Sequence, residues 1–355
     1  SRGLVPENPR MELPMNVLFL TPWYPSEKDA MAGLFVLKHE QAVRAQGCDV
    51  RVIHSQKWTD TWRQWRKLRR EGWMPDVVQL NVIQKQGLLA FWLKKHWHIP
   101  YIIVEHWSGY LPENGMFRQM SALKQHLYRR IAADAEIVMS VSQRHAQAMQ
   151  ECGIQAKKWG LIHNVVDDFF FEENQSPITD NQSPIKTLLH VSCFDERAKN
   201  VKGLLRAAKM LSEKRRDWRL VLVGTGVDYA EVRTFADSLD IPDGLLVWTG
   251  ELTPREVAEQ MHKADALVLS SRYETYGVVL TEAVAANLPI ISTPVGIAEE
   301  TDALIVPQEI AQNKPGRFAE FIESTMWDTD RHTHKAMHAE RFTSKAVGAK
   351  LKQGN

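Results

Sequence analysis

The feature that most constrains this chain is an alternation that occurs twice. In the first half, short apolar runs, "NVLFLTPW", "DVRVIH", "DVVQLN", "YIIVEHW" and "EIVMSVS", are separated by stretches with helical spacing. The second half repeats it with "TLLHVSCF", "RLVLVGTG", "LLVWTGEL", "DALVLSS", "PIISTP" and "ALIVP". Apolar runs of strand length separated by helices of about 10–15 residues read as βαβ units, and therefore as parallel sheets buried on both faces. At 355 residues the chain exceeds one average core, so the pattern predicts two α/β domains. Ligands of such sheets bind at the C-terminal ends of the strands.

Charge separates the same halves. Residues 1–165 hold 22 Lys+Arg and 14 Asp+Glu, a net of +8, and the remainder holds 22 and 29, a net of −7. Nine of the 12 tryptophans precede residue 160. A basic, aromatic half and an acidic half imply different partners. Cys48, Cys152 and Cys193 are scattered and lack CxxC spacing, which points away from a disulfide framework or zinc site and towards a reducing compartment. No run approaches membrane-spanning length, and none has the form of a signal peptide. "SRGLVPENPR" reads as an expression scar or frayed tail, and "EENQSPITDNQSPIK" as an exposed linker between domains.

The chemistry concentrates in "SRYETYGVVLTEAVAANLPIIS", where Glu274 and Glu282 stand eight residues apart. On one helix they would be rotated by about 80° and separated by about 12 Å, facing apart. The better reading places Glu274 in a strand-to-helix turn and Glu282 in the second helical turn. Tyr276 and Gly277 occupy the turn, and glycine lets a ligand approach the backbone. Val278 and Val279 then offer helix N-terminal amides to a phosphate. An ionised carboxylate only accepts hydrogen bonds, so each glutamate calls for hydroxyl donors. Phosphate in the middle with hydroxyls at both ends describes a nucleotide diphosphate sugar, with Glu282 on the ribose and Glu274 on the sugar.

The stretch Ala264–Glu300 resembles the signature of the family-4 retaining glycosyltransferases, whose E-x7-E motif Glu274 and Glu282 match. The resemblance runs from "LFLTPWYP" to "ALIVP". It implies a GT-B fold, two Rossmann-like parallel-sheet domains facing across a cleft. These would be an acceptor-binding domain at 11–168, a linker at 169–186 and a nucleotide-sugar domain at 187–334, with a last helix near 335–355 packing back on the first domain. It further implies that Gly33 lies near the donor phosphates, that His106 faces the donor sugar and that Lys199 binds the diphosphate. Gly250 to Leu252 would lie beside the base. With Glu274, His106 and Lys199 form the catalytic set. A family arginine before the lysine is replaced here by Ser192-Cys193, and Arg197 is the candidate substitute. The family's paired glycines are reduced to Gly296-Ile297, with Glu300 matching beyond them. "GTGVDY" lacks the third glycine of a dinucleotide fingerprint, so Gly224 reads as a tight turn lining the cleft.

The resemblance implies sugar transfer from a UDP- or GDP-sugar to a saccharide or lipid-linked acceptor, in bacterial polysaccharide, lipopolysaccharide or glycan synthesis at the inner face of the cytoplasmic membrane. No metal and no cofactor is expected; "DTD" at 328–330 and His332, His334 and His338 lack ligand spacing. The alternatives are a GT-B sugar-nucleotide epimerase and an inert sugar-nucleotide-binding or membrane-docking protein. Two readings also stand for "KWTDTWRQWRKLRREGW", in which Trp58, Trp62 and Trp65 recur at helical spacing among basic residues. One is a helix packed on the sheet; the other is a helix on anionic lipid. No nucleic-acid-reading motif is present.

Overall fold

The computed structural model describes residues 14–27, 32–172, 185–327 and 339–354. Residues 173–184, which hold nearly all of the repeated NQSPI segment, 328–330 and the three late histidines lie outside them. The first sheet contains β1 (Asn16–Thr21), β2 (Asp49–His54), β3 (Val77–Asn81), β4 (Tyr101–Glu105), β5 (Val138–Ser140) and β6 (Trp159–Leu161), in the order β2-β1-β3-β4-β5-β6. The second contains β7 (Lys186–Val191), β8 (Trp218–Val223), β9 (Leu246–Gly250), β10 (Ala266–Leu269), β11 (Ile290–Ser292) and β12 (Leu304–Ile305), in the order β12-β11-β10-β7-β8-β9. All pairings are parallel; Val17, for example, faces Val50 on one side and Val77 on the other. The apolar runs are buried as the parallel arrangement requires: β3 and β4 are buried along their whole length.

Strand order reverses beside β1 in one sheet and between β7 and β10 in the other. The loops after β1, β7 and β10 therefore open at the switch points, where a doubly wound sheet leaves room for a ligand. The domains touch at this edge. Ser142 Oγ donates to the Thr275 carbonyl at 2.8 Å, and Gln143 N donates to Glu300 Oε1 at 2.8 Å. The C-terminal helix Ser344–Gly354 lies on helix Leu34–Arg44 of the first domain. Gly348 lets the two axes approach, because a Cβ there would run into the Ala42 carbonyl.

Several local expectations change. β6 carries no apolar run in its sequence "WGL"; it is a three-residue, half-buried edge strand that a hydrophobicity pattern does not detect. Between β4 and β5 the chain forms two helices, Met116–Gln119 and Ala122–Asp134, because Ser121 adopts an extended ψ and starts the second. Asp228 does not cap its own helix; its Oδ2 accepts from Glu196 N at 2.8 Å and ties two cleft loops together. Thr253, Pro254 and Glu256 do form a full capping box.

The tryptophan helix spans Trp58–Arg70. Trp65 is 2% exposed and meets Trp97 edge-on, so it has no part in any surface-binding face. Trp62 packs edge-on against Trp92, leaving Trp58, stacked on Trp62, as the exposed member. Packing within the first domain, against helix Gly87–Trp97, therefore accounts for most of the helix.

Gly348→Val should force the two helices apart, lowering the urea midpoint and costing about 1–3 kcal/mol, as overpacking does. An unchanged midpoint would mean that the helix contact contributes little.

Candidate active site

A cleft of about 690 Å³ opens between the C-terminal edges of the two sheets. His106, Lys199, Gly224, Leu252, Glu274, Tyr276, Gly277, Val278, Val279 and Glu282 all line it. Gly33 and Arg197 do not. Gly33 acts from behind: at φ +68° it turns the chain into helix Leu34–Arg44, and Leu34 and Phe35, the first residues of that helix, line the wall. A Cβ on Gly33 would collide with the Trp23 backbone. Arg197 is exposed and reaches the Asn114 carbonyl of the other domain at 3.4 Å, so it bridges the rim and leaves Ser192 and Cys193 to line the wall.

Local backbone chemistry sets each group. The loop after β7 makes one short helical turn, Glu196–Lys199, and leaves it through Asn200 at φ +51°. Asn200 Nδ2 donates to the Ser270 carbonyl at 3.2 Å, and Ser270 Oγ donates back to the Lys199 carbonyl at 3.1 Å. The loops after β7 and β10 are thereby joined, and Lys199 Nζ meets Glu274 Oε1 at 2.5 Å. Both side chains are about 15% exposed. Burial, the largest influence, pulls the ammonium down, but Glu274, with Cys193 and Asp195, outweighs it and holds Lys199 above its ordinary value. Ser271 Oγ donates to the same Glu274 oxygen at 2.9 Å.

Gly277, at φ +78°, starts helix Val278–Ala285, which carries Glu282 on its second turn. Two helix N-termini, one from each domain, thus open on the same cleft and present amides to an anion. Glu282 is partly accessible from the cleft yet deep within the protein. Burial pushes its carboxyl up to about 7, against the pull of Lys38 and with the help of Asp167.

His106 follows β4 and packs tilted against Phe35 with ring centroids 4.1 Å apart. Its Nε2 is buried without a hydrogen-bond partner, and burial first, then His39 and His145, hold its pKa well below the ordinary value, so the ring is neutral. Glu105 sets the backbone there: Oε1 accepts from His106 N and Trp107 N, and Oε2 from Ile83 N, each at 2.9 Å. A neutral imidazole with a free nitrogen suits a sugar hydroxyl.

The site contains residues that motif reading missed. Lys38 lines the cleft and pairs with Asp167 at 2.9 Å. Its signal was its spacing: it lies four residues after Leu34, on the same helix face. Asn164 also lines the cleft, 4% exposed, with Oδ1 unpartnered; no periodicity marks it because it lies in irregular chain after β6. Glu300 lies outside the cleft and clasps the Gln143 amide. Gly296 supports the site from behind, where a Cβ would enter the Tyr276 carbonyl. Among the described residues no group of three or more His, Cys, Asp or Glu is arranged to hold a metal.

Comparison with known proteins gives one picture. Residues 13–168 match the family model described as glycosyltransferase family 4, and residues 171–338 match glycosyl transferases group 1. N-acetyl-alpha-D-glucosaminyl L-malate synthase of Bacillus anthracis is 29% identical over 167 residues, 46% of this chain and 42% of that protein. Alpha-monoglucosyldiacylglycerol synthase of Streptococcus pneumoniae is 26% identical over 232 residues, 60% of this chain and 52% of that protein. The chain thus spans about half the length of the curated relatives it matches. The crystal structure of Anabaena HepE in complex with UDP-glucose superposes with a TM-score of 0.70 at 17% identity, covering 96% of this chain and 98% of that one, a likeness of fold.

The raised Glu282 carboxyl has a consequence for stability. It holds its proton up to about 7 in the folded chain, against an ordinary value of 4.5, so the folded state binds more protons across that window. Its contribution is complete below 4.5 and is lost as pH rises through 7. Thermal melts from pH 4.5 to 8 should show a smaller decline for Glu282→Gln than for the parent chain. Superimposable pH profiles would place Glu282 in a more solvated setting.

Proposed function

Because the chain belongs to the family-4 glycosyltransferases of GT-B fold, we propose that it moves a sugar from a UDP- or GDP-sugar to a saccharide or lipid-linked acceptor, with retention of anomeric configuration and without a metal. The observation that carries this reading is the convergence in one cleft of two helix N-termini, the Lys199–Glu274 pair and the buried Glu282. Glu282 accepts from the ribose diol. The amides after Gly33 and Gly277 and the Lys199 ammonium take the diphosphate. Glu274 and His106 meet the sugar hydroxyls, and Leu252 lies beside the base.

In the reaction the bond from the anomeric carbon to the phosphate oxygen breaks and a bond to the acceptor oxygen forms on the same face. The acceptor's proton passes to the departing phosphate. Negative charge builds on the nucleoside diphosphate, and donors aimed at it from a water-poor cleft lower the barrier. Lys199 then shares its hydrogen bonding between Glu274 and the phosphate.

The surface of the first domain supports a lipid-linked acceptor. Trp58, Trp62 and the exposed Arg63, Arg66, Lys67, Arg69 and Arg70 combine aromatic rings with positive charge, a face suited to anionic headgroups. The likeness to alpha-monoglucosyldiacylglycerol synthase points the same way. Among the described residues no helix is long and apolar enough to cross a membrane. A peripheral position on the inner face of the cytoplasmic membrane, in bacterial polysaccharide, lipopolysaccharide or glycan synthesis, agrees with these features.

A thermal-shift panel of UDP, GDP and ADP with their common sugars, with and without metal, should give one nucleotide that raises the melting temperature, since a ligand of the native state stabilises it. No shift with any of them would refute the donor site. Glu282→Ala should weaken binding of that nucleotide by about 1–3 kcal/mol. Replacing Trp58 and Trp62 by Ala should release the protein from anionic vesicles while leaving nucleotide binding intact; undiminished vesicle binding would remove this helix from the lipid face.

A further inference from the structure

Lys38 belongs to no motif, yet it stands where the two domains meet at the Glu282 end of the cleft. It projects from helix Leu34–Arg44 of the first domain, 14% exposed, and binds Asp167 at 2.9 Å. Asp167 immediately precedes the turn Asp168–Phe170, which packs on helix Val278–Ala285, the helix of Glu282. One ammonium thus serves a neighbourhood of two carboxylates, in a cleft whose walls are otherwise largely apolar here: Val165, Leu252, Val257 and Val279.

The charges that reach Glu282 are Lys38, which favours its ionised form, and Asp167, which opposes it. Of the other ionisable groups on neighbouring elements, Asp168 and Glu340 lie exposed, and Arg341 is engaged by the Glu300 carbonyl at 2.9 Å. A carboxylate accepts two hydroxyl hydrogens freely, whereas a protonated carboxyl must offer one of its own. Resting on the reading of Glu282 as the ribose ligand, we propose that Lys38 and Asp167 form a positioning pair for donor binding. Lys38 draws Glu282 towards the carboxylate that the ribose diol needs, against the effect of burial, and Asp167 limits that pull by engaging the ammonium. Neither residue needs to touch the donor.

The test uses the nucleotide sugar that gives the largest thermal shift, for example UDP-glucose or a GDP-sugar, because its diphosphate does not titrate in the relevant range. Its affinity is measured by calorimetry from pH 5.5 to 9 for the parent chain, Lys38→Met, Asp167→Asn and Glu282→Gln. The parent affinity should rise with pH about a half-point near 7, where Glu282 titrates. Of the other cleft groups, His106 is held well below this window and Lys199 above it.

Lys38→Met should move the half-point up by about one pH unit, the usual scale for loss of a nearby opposite charge, weakening binding at pH 7 by about fivefold. Asp167→Asn should move it down, and Glu282→Gln should abolish it. Opposite displacements are the signature of charge; a merely structural disturbance would weaken binding at every pH. Binding with the half-point unmoved in both variants, or moved in the same direction, overturns the proposal while leaving the donor site standing. Absence of binding by any nucleotide sugar overturns the donor reading and this inference with it.

Discussion

Within each sheet the strands run parallel, so every strand ends on the same edge. That constraint organises the rest of the molecule. Loops leaving β1, β4, β7, β8 and β10 emerge together, and the helices that follow point their N-termini back to the same edge. The two sheets face one another by these edges, joined by the Ser142–Thr275 and Gln143–Glu300 hydrogen bonds and by the C-terminal helix lying across helix Leu34–Arg44. A site built there inherits backbone amides and dipoles from both domains before any charged side chain is added.

The side chains then solve a solvation problem. Lys199 and Glu274 are largely withdrawn from water, where an isolated charge would be costly, and they satisfy one another at 2.5 Å. Such a pair is a modest source of stability, but it keeps two opposite charges in place for a ligand that carries phosphate next to hydroxyls. Lys38 and Asp167 repeat the device at the other end of the cleft at 2.9 Å, one a helix residue and the other in the chain that crosses between domains. Arg197 shows the converse. Its position on the exposed side of the Glu196–Lys199 turn commits it to the rim, where it meets the Asn114 carbonyl, and not to the wall.

Much of the architecture could be read directly, for a physical reason. Strands buried on both faces are predominantly apolar even where they carry a buried Gln79, Glu105 or His190, so β1, β3, β4, β7, β8 and β10 announce themselves. Positions that combine positive φ with a close neighbour where a Cβ would sit favour glycine, so Gly33, Gly224 and Gly277 stand out. β6 escaped because an edge strand of three half-buried residues needs no apolar run. Trp65 was ambiguous because a tryptophan stripe on a helix has the same spacing whether it meets lipid or Trp97.

The sequence by itself determined two parallel-sheet domains and the turn that presents Glu274, Gly277 and Glu282, since these follow from local periodicity, glycine conformations and helix geometry. Only the tertiary structure decided which charges meet. Lys199 and Glu274 are 75 residues apart and Lys38 and Asp167 are 129 apart in the chain, and their pairing depends on how loops from different strands are laid side by side. Burial was decided there too: whether Glu282 holds its proton, whether His106 is neutral and whether Trp65 sees solvent are set by the atoms around each group, and those atoms come from distant parts of the chain.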